Sequence, residues 1–285
     1  TLATGTGKTV IAFHIAWKLF QSRWNIQRDG KRIPRILFLA DRNILANQAY
    51  NAFEPFGESA RVRIQPNQIS RRGGVPMNGS AFFTIFQSLM SGDNHYYKEY
   101  PADFFDFIVI DECHRGGAHD ESSWRDIMNY FKSAVQLGLT ATPKRKNNSD
   151  TYDYFGEPIY TYSLKQGIKD GFLTPFKVDI IESSLDEYEY EEEDEVIEGL
   201  PERDKVYKES DFNTKIVIEE RERHRVKEFL SRIRPRDKTL VFCANQAHAG
   251  LVRDMVNEET PNQPTDYCVR VTANDGEFVL SKGAV

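Results

Sequence analysis

Short apolar runs punctuated by helix-compatible stretches organise the first half of this chain. Ile36-Leu37-Phe38-Leu39-Ala40, Ala81-Phe82-Phe83-Thr84-Ile85-Phe86, Phe107-Ile108-Val109-Ile110 and Leu137-Gly138-Leu139-Thr140 lack the alternation of a half-exposed strand. Such runs are the pattern of parallel strands buried on both faces. Val10–Phe20, Ile44–Phe53 and Ser122–Ala134 read as helices, the last two lying between runs. Alternation of the two kinds predicts an α/β unit whose ligands sit at the C-terminal ends of the strands.

After Pro143 the pattern changes. Lys144-Arg145-Lys146-Asn147-Asn148-Ser149 reads as an exposed loop, and Gly171-Phe172-Leu173-Thr174-Pro175 as a turn into a new strand. A second α/β unit follows: helix Thr214–Ile233, strand Thr239–Cys243, helix His248–Asn257 and strand Tyr267–Thr272. It is too short for a complete domain, which places domain one at 1–174 and a partial second domain at 175–285. The chain opens on a glycine-rich loop without the strand expected to feed it, and Gly276-Glu277-Phe278-Val279 continues no pattern. A fragment, or a chain with stretches omitted, is the expectation.

Composition changes this picture little, and charge changes it in one place. An apolar fraction of 40% with 28% charged residues is an ordinary soluble profile. No apolar run reaches the roughly 18–20 residues of a membrane span. The three cysteines, Cys113, Cys243 and Cys268, form no CxxC pair, so neither a disulfide framework nor a zinc site is expected, and a cytoplasmic location is. The net charge is −6, but residues 182–204 hold twelve acidic residues against one Arg, a local −11, leaving +5 elsewhere. The acidity is local and does not exclude a nucleic-acid partner. The block Asp186–Glu195 reads as a solvated insertion, either a plain acidic linker or a docking site for a basic partner.

Candidate chemistry begins at Thr4-Gly5-Thr6-Gly7-Lys8-Thr9. Glycines let successive backbone N–H groups turn inward around phosphates, and the following helix adds its positive end. Lys8 is expected on the β- and γ-phosphates of ATP, and the Thr9 hydroxyl on Mg²⁺. The general loop pattern asks for Gly where Leu2 stands, so the loop alone is of moderate specificity. The run Phe107–Ile110 ends in Asp111-Glu112, a buried strand delivering carboxylates to a sheet edge. Asp111 is expected to hold Mg²⁺ and Glu112 to orient or deprotonate the attacking water. Neighbouring strand residues face opposite ways, so both can serve one site only at the strand end. Cys113-His114 is a poor metal pair; a role for His114 in sensing the γ-phosphate fits better. Thr140 and Thr142, in Gly138-Leu139-Thr140-Ala141-Thr142-Pro143, can bond to the acidic motif and relay nucleotide state.

In this order the motifs resemble those of superfamily 2 helicase and translocase motors. More narrowly the chain is similar to the motor of the restriction (R) subunit of type I restriction–modification enzymes. That resemblance rests on Ala3–Thr9, Phe38-Leu39-Ala40-Asp41-Arg42-Asn43, Phe86-Gln87-Ser88-Leu89, Asp111-Glu112-Cys113-His114-Arg115-Gly116 and Gly138–Pro143. Tyr154-Phe155-Gly156-Glu157-Pro158, Asp170-Gly171-Phe172-Leu173 and Thr239–Asn245 extend it to roughly residue 275. The resemblance implies tandem RecA-like P-loop domains, the second incomplete, forming an ATP hydrolase that pulls double-stranded DNA. It implies modification and specificity subunits as partners, and a site-specific deoxyribonuclease as the full-length protein. It also implies an upstream nuclease domain and a late-motif arginine finger, neither found in this sequence. The chain alone is therefore expected to bind Mg-ATP and hydrolyse it poorly.

Motors of this kind track the phosphate backbone. Motif position nominates Arg42, Gln87 and Ser88 as nucleic-acid contacts; Arg42 alternatively pairs with Asp41 or caps the next helix. Arg71-Arg72-Gly73-Gly74 and Lys144-Arg145-Lys146 read as basic flexible loops. Two other readings remain open: a DExH repair or RNA helicase, and a nucleotide-gated nucleic-acid-binding module without catalysis.

Overall fold

The computed structural model describes residues 1–92, 95–113, 120–141, 151–180, 187–189, 206–208 and 211–272. The chain divides into two compact units, Thr1–Lys177 and Val178–Val285. In the first, the order is α1 (Lys8–Gln21), β1 (Ile36–Ala40), α2 (Asn43–Ala52), β2 (Arg61–Arg63), α3 (Pro66–Arg72), β3 (Ala81–Ile85), α4 (Phe86–Met90), β4 (Phe107–Asp111), α5 (Asp120–Tyr130), β5 (Val135–Leu139), α6 (Thr151–Phe155) and α7 (Leu164–Lys169). The five strands form one sheet in the order β2-β3-β1-β4-β5, and every ladder is parallel. All the strand C-termini therefore lie along one edge, as the apolar runs predicted.

The alternation of side chains along each strand divides the core into two. Leu37, Leu39, Phe82, Ile108 and Ile110 pack on one face with Ile69 of α3, Leu89 of α4 and Ile127 and Met128 of α5. Ile36, Phe38, Ala40, Ala81, Phe83, Phe107 and Val109 pack on the other with Ala12 and Ala16 of α1 and Ala46 and Ala49 of α2. Small alanines on α1 and α2 let these helices lie close to a face crowded with phenylalanine. Each fully buried apolar side chain stabilises by about 1.5–3 kcal/mol, and β1 and β4 are buried at every position.

The short elements α4, α6 and α7 have no counterpart among the sequence expectations, and two others differ from them. β2 is a short edge strand in which only Val62 is apolar. The expected basic loop at Arg71-Arg72-Gly73-Gly74 is instead the last turn of α3 and its cap. Pro66 starts that helix, and Gly73 closes it in the left-handed conformation (φ 73°) with its N–H donating to the Ile69 carbonyl. Proline at the first turn and glycine just beyond the last are the usual boundaries of a helix.

At the sheet edge opposite the strand C-termini, Asp106 is fully buried just before β4. Its carboxylate accepts both Arg32 guanidinium nitrogens (2.5 and 2.7 Å) and the backbone N–H groups of Ile26 (2.9 Å) and Arg35 (2.8 Å). Burial alone would raise its pKa, but these bonds outweigh it and hold the carboxyl below the usual carboxylate range. One side chain thus closes the long connection between α1 and β1.

In the second unit, β6 (Glu187–Glu189) and β7 (Val206–Lys208) pair antiparallel, and α8 (Glu219–Arg232) packs with α9 (Gln246–Glu259) through Val226, Val252, Met255 and Val256. β6 lies inside the acidic stretch; the rest of 182–204 falls outside the described residues. A buried polar cluster joins the helices: Glu222 accepts from Asn213 Nδ2 (2.9 Å) and lies 3.0 Å from His248 Nε2. The expected strands Thr239–Cys243 and Tyr267–Thr272 are not in ladders. An apolar run alone does not make a strand, which also requires a hydrogen-bonded neighbour. Among the described residues, no helix is long and apolar enough to cross a membrane.

Candidate active site

Residues 1–3 run beside the C-terminal end of β5. Leu2 N–H donates to the Thr140 carbonyl (2.9 Å), and on its other side Ala3 N–H donates to the Tyr162 carbonyl (2.9 Å). From this anchored strip the chain turns sharply: the Thr6 hydroxyl donates to the Ala3 carbonyl at 2.6 Å, and Gly5 and Gly7 take φ of 83° and 84°. These are left-handed values that a side chain would strain. Gly7 caps α1 in that conformation without a side-chain cap bond. The first-turn amides of a 14-residue helix are thus not taken up by a side-chain cap, and Thr4, Gly5 and Gly7 are exposed. Exposed glycines and uncapped amides form the kind of cradle that receives phosphate.

β4 delivers the acids to the same place. Asp111, the last residue of the strand, is 6% exposed. Glu112 follows in the left-handed region (φ 52°), unusual for a residue with a side chain. Its N–H donates to Asp111 Oδ1 (3.1 Å), and its carboxylate lies 3.3 Å from Lys8 Nζ. The break in strand alternation is what puts two successive carboxylates on one side. Burial and the neighbouring Glu112 charge raise the Asp111 pKa, although Lys8 acts against them. A divalent cation would relieve that strain, and a carboxylate with a threonine hydroxyl is a hard oxygen donor set suited to Mg²⁺. The residues present therefore fit Mg²⁺ with a phosphorylated ligand: Thr9 and Asp111 toward the metal, Lys8 and the loop amides toward phosphate.

Cys113 turns back into the core, its N–H donating to the Leu139 carbonyl. It is buried, and its thiol is pushed up to about 12 by that burial, so it is an inert packing group. Thr140 is also buried; its carbonyl, through Leu2, links β5 to the loop. His114 and Thr142 lie outside the described residues, as do Arg115, Gly116 and Lys144-Arg145-Lys146.

The nucleic-acid candidates lie at the same sheet edge, after β1 and β3. Arg42 is 68% exposed, with Nε 3.5 Å from Asp41, and precedes α2 without a side-chain cap bond. Gln87 is exposed, whereas Ser88 is buried, so only the first can meet a partner without rearrangement. Arg63, at the end of β2, is a further cation at this edge. Its guanidinium donates to Asn47 Oδ1 (2.9 Å), Asn43 Oδ1 (2.9 Å) and the Phe83 carbonyl (2.8 Å). Burial lowers its pKa, and these three partners are all neutral. The only signal for it was the polar-apolar-polar alternation of Arg61-Val62-Arg63.

Comparisons with known proteins show which family the chain resembles. A family model described as "ResIII: Type III restriction enzyme, res subunit" matches residues 1–145. The type I restriction enzyme EcoAI endonuclease subunit of Escherichia coli is 39% identical over 96% of this chain and 33% of its own length. The EcoKI endonuclease subunit of E. coli K12 is 30% identical over 96% of this chain and 25% of its own length. This chain thus spans a third or less of those relatives. Among solved structures, a nuclease-deletion mutant of the type ISP restriction–modification enzyme LlaGI, in complex with a DNA substrate mimic, is 19% identical with a TM-score of 0.42. That match covers 60% of this chain and 18% of the other. The chain belongs to the family described as type III restriction enzyme, res subunit, and is similar to the endonuclease subunits of type I restriction enzymes, the resemblance its motifs carry.

Proposed function

We propose that this chain is the ATP-dependent, double-stranded DNA translocase motor of a type I restriction enzyme R subunit. On this reading it acts in the cytoplasm with modification and specificity subunits. The observation that carries the reading is the 3.3 Å approach of Lys8 to Glu112 across the phosphate loop. It brings together the two residues whose roles, phosphate binding and water activation, make an ATP hydrolase. Without nucleotide the two charges neutralise each other. Phosphate in the cradle competes for the ammonium and frees the carboxylate to orient a water and accept its proton. Thr9 and Asp111 would hold Mg²⁺, which when bound would neutralise charge on the phosphoryl oxygens. Lys8 and the loop amides hold the phosphates, while Thr140, bonded to Leu2, sits where a change at the loop passes to β5. Arg42, Gln87 and Arg63 are the residues this reading directs toward a DNA backbone, with Ser88 behind them.

The test is ATP hydrolysis by the full-length protein assembled with its partner subunits, with duplex DNA, single-stranded DNA or RNA added. Duplex should stimulate turnover and drive displacement of a third strand bound along it; Lys8→Ala should abolish both. Stimulation by RNA or single strands alone would favour a helicase instead.

A further inference from the structure

We propose that Leu173 is a positioning residue for the phosphate loop: a strut, wedged between two glycines, that holds Gly5 in its left-handed conformation. The inference rests on the nucleotide-site reading above and extends it to a residue outside the ATP motifs. A Cβ placed on Gly5 would lie 3.3 Å from Leu173 Cδ2, and one placed on Gly167 of α7 would lie 2.7 Å from Leu173 Cδ1. The second distance is shorter than real contacts allow. Glycine at 167 thus makes the space that Leu173 fills, and the other side of the same side chain meets the loop.

The strut is itself braced. The backbone N–H groups of Phe172 and Leu173 both donate to the Gly167 carbonyl at 3.0 Å. Ser163 caps α7 by accepting from Gln166 N–H (3.2 Å), and the Tyr162 hydroxyl donates to Asp170 Oδ2 (2.8 Å). Tyr162 also anchors the strip that feeds the loop, accepting from Ala3 N–H and donating its own N–H to the Thr1 carbonyl, each at 2.9 Å. Residues 162–173 therefore grip the phosphate loop twice: along its leading strip through backbone, and behind Gly5 through Leu173. Within the loop the turn is held by the Thr6 bond to Ala3, and Leu173 adds a contact from outside it. Leu173 lies shortly before the first unit ends at Lys177, so this support belongs to the segment that leaves that unit.

Leu173→Ala and Leu173→Met in the full-length protein, with Lys8→Ala as control, test the proposal. The readouts are affinity for a fluorescent ATP analogue with Mg²⁺, nucleotide-free affinity for duplex DNA, and melting temperature. Leu173→Ala should weaken nucleotide binding on the order of tenfold and leave duplex affinity unchanged. Leu173→Met, which refills the space with a flexible side chain, should restore most of the loss. Nucleotide affinity unchanged in Leu173→Ala while Lys8→Ala loses it would overturn the strut and spare the nucleotide site. Equal losses of nucleotide and duplex binding, unrescued by Met, would show a general packing role and also overturn it. Should Lys8→Ala keep its affinity, the nucleotide site itself falls, and this inference with it.

Discussion

Glu112→Gln should leave Mg-ATP bound and lower its turnover by about 10²–10⁴-fold, the usual worth of a positioned general base. Glutamine keeps the size and one hydrogen-bonding oxygen of the side chain but cannot accept a proton from water. It also removes the carboxylate that now lies 3.3 Å from Lys8. Phosphate then meets an ammonium that has lost its competitor, so nucleotide affinity should hold or rise slightly. That pairing, slow turnover with undiminished binding, separates a catalytic Glu112 from one that merely pairs with Lys8. Single-turnover hydrolysis alongside equilibrium binding measures both. Turnover near the parent rate would remove Glu112 from catalysis.

The largest effect on stability is expected far from the ATP site. Asp106→Ala should destabilise the first unit by about 3 kcal/mol, toward the lower end for breaking a buried pair, because Arg32 keeps 32% of its side chain in water. The guanidinium and two backbone amides of the α1–β1 connection lose their shared acceptor at once. The sign with pH follows from the lowered pKa of Asp106. Its contribution is fully present above the ordinary carboxylate range and is lost as pH falls through that range toward the folded-state value. Urea unfolding from neutral to acid pH should therefore show the gap between parent and variant narrowing on acidification. A gap that stays constant would mean that the charge on Asp106 is not what holds the loop.

The legible parts of the fold are those where burial dictates composition. β1 matches its apolar run residue for residue, and β4 extends its run by one residue, to Asp111, because strands covered on both faces admit little but apolar side chains. β2 was illegible for the converse reason: an edge strand of three residues with two arginines has no apolar run to show. α3 was misread because Arg71 and Arg72 suggested a loop, although Pro66 and Gly73 already marked its ends. At the site, the meeting of loop and acids was legible from motif order, since parallel strands bring their C-termini to one edge. The left-handed turn at Glu112 was not, because nothing in a Glu announces φ of 52°. Nor were the contacts of Tyr162 and Leu173 with the loop, which join residues more than 150 positions apart. Asp170-Gly171-Phe172-Leu173 stands out in the sequence as a family signature, and the packing of Leu173 beside Gly5 gives one residue of it a physical role.

On the proposed reading, Lys8, Thr9, Asp111 and the glycine loop form one Mg-dependent nucleotide site. Calorimetric titration of Mg-ATP into the protein and into Lys8→Ala tests it most directly. The parent should bind saturably, one-to-one and only with Mg²⁺, and the variant should lose that binding. Mg-ATP bound as tightly by Lys8→Ala as by the parent would contradict it.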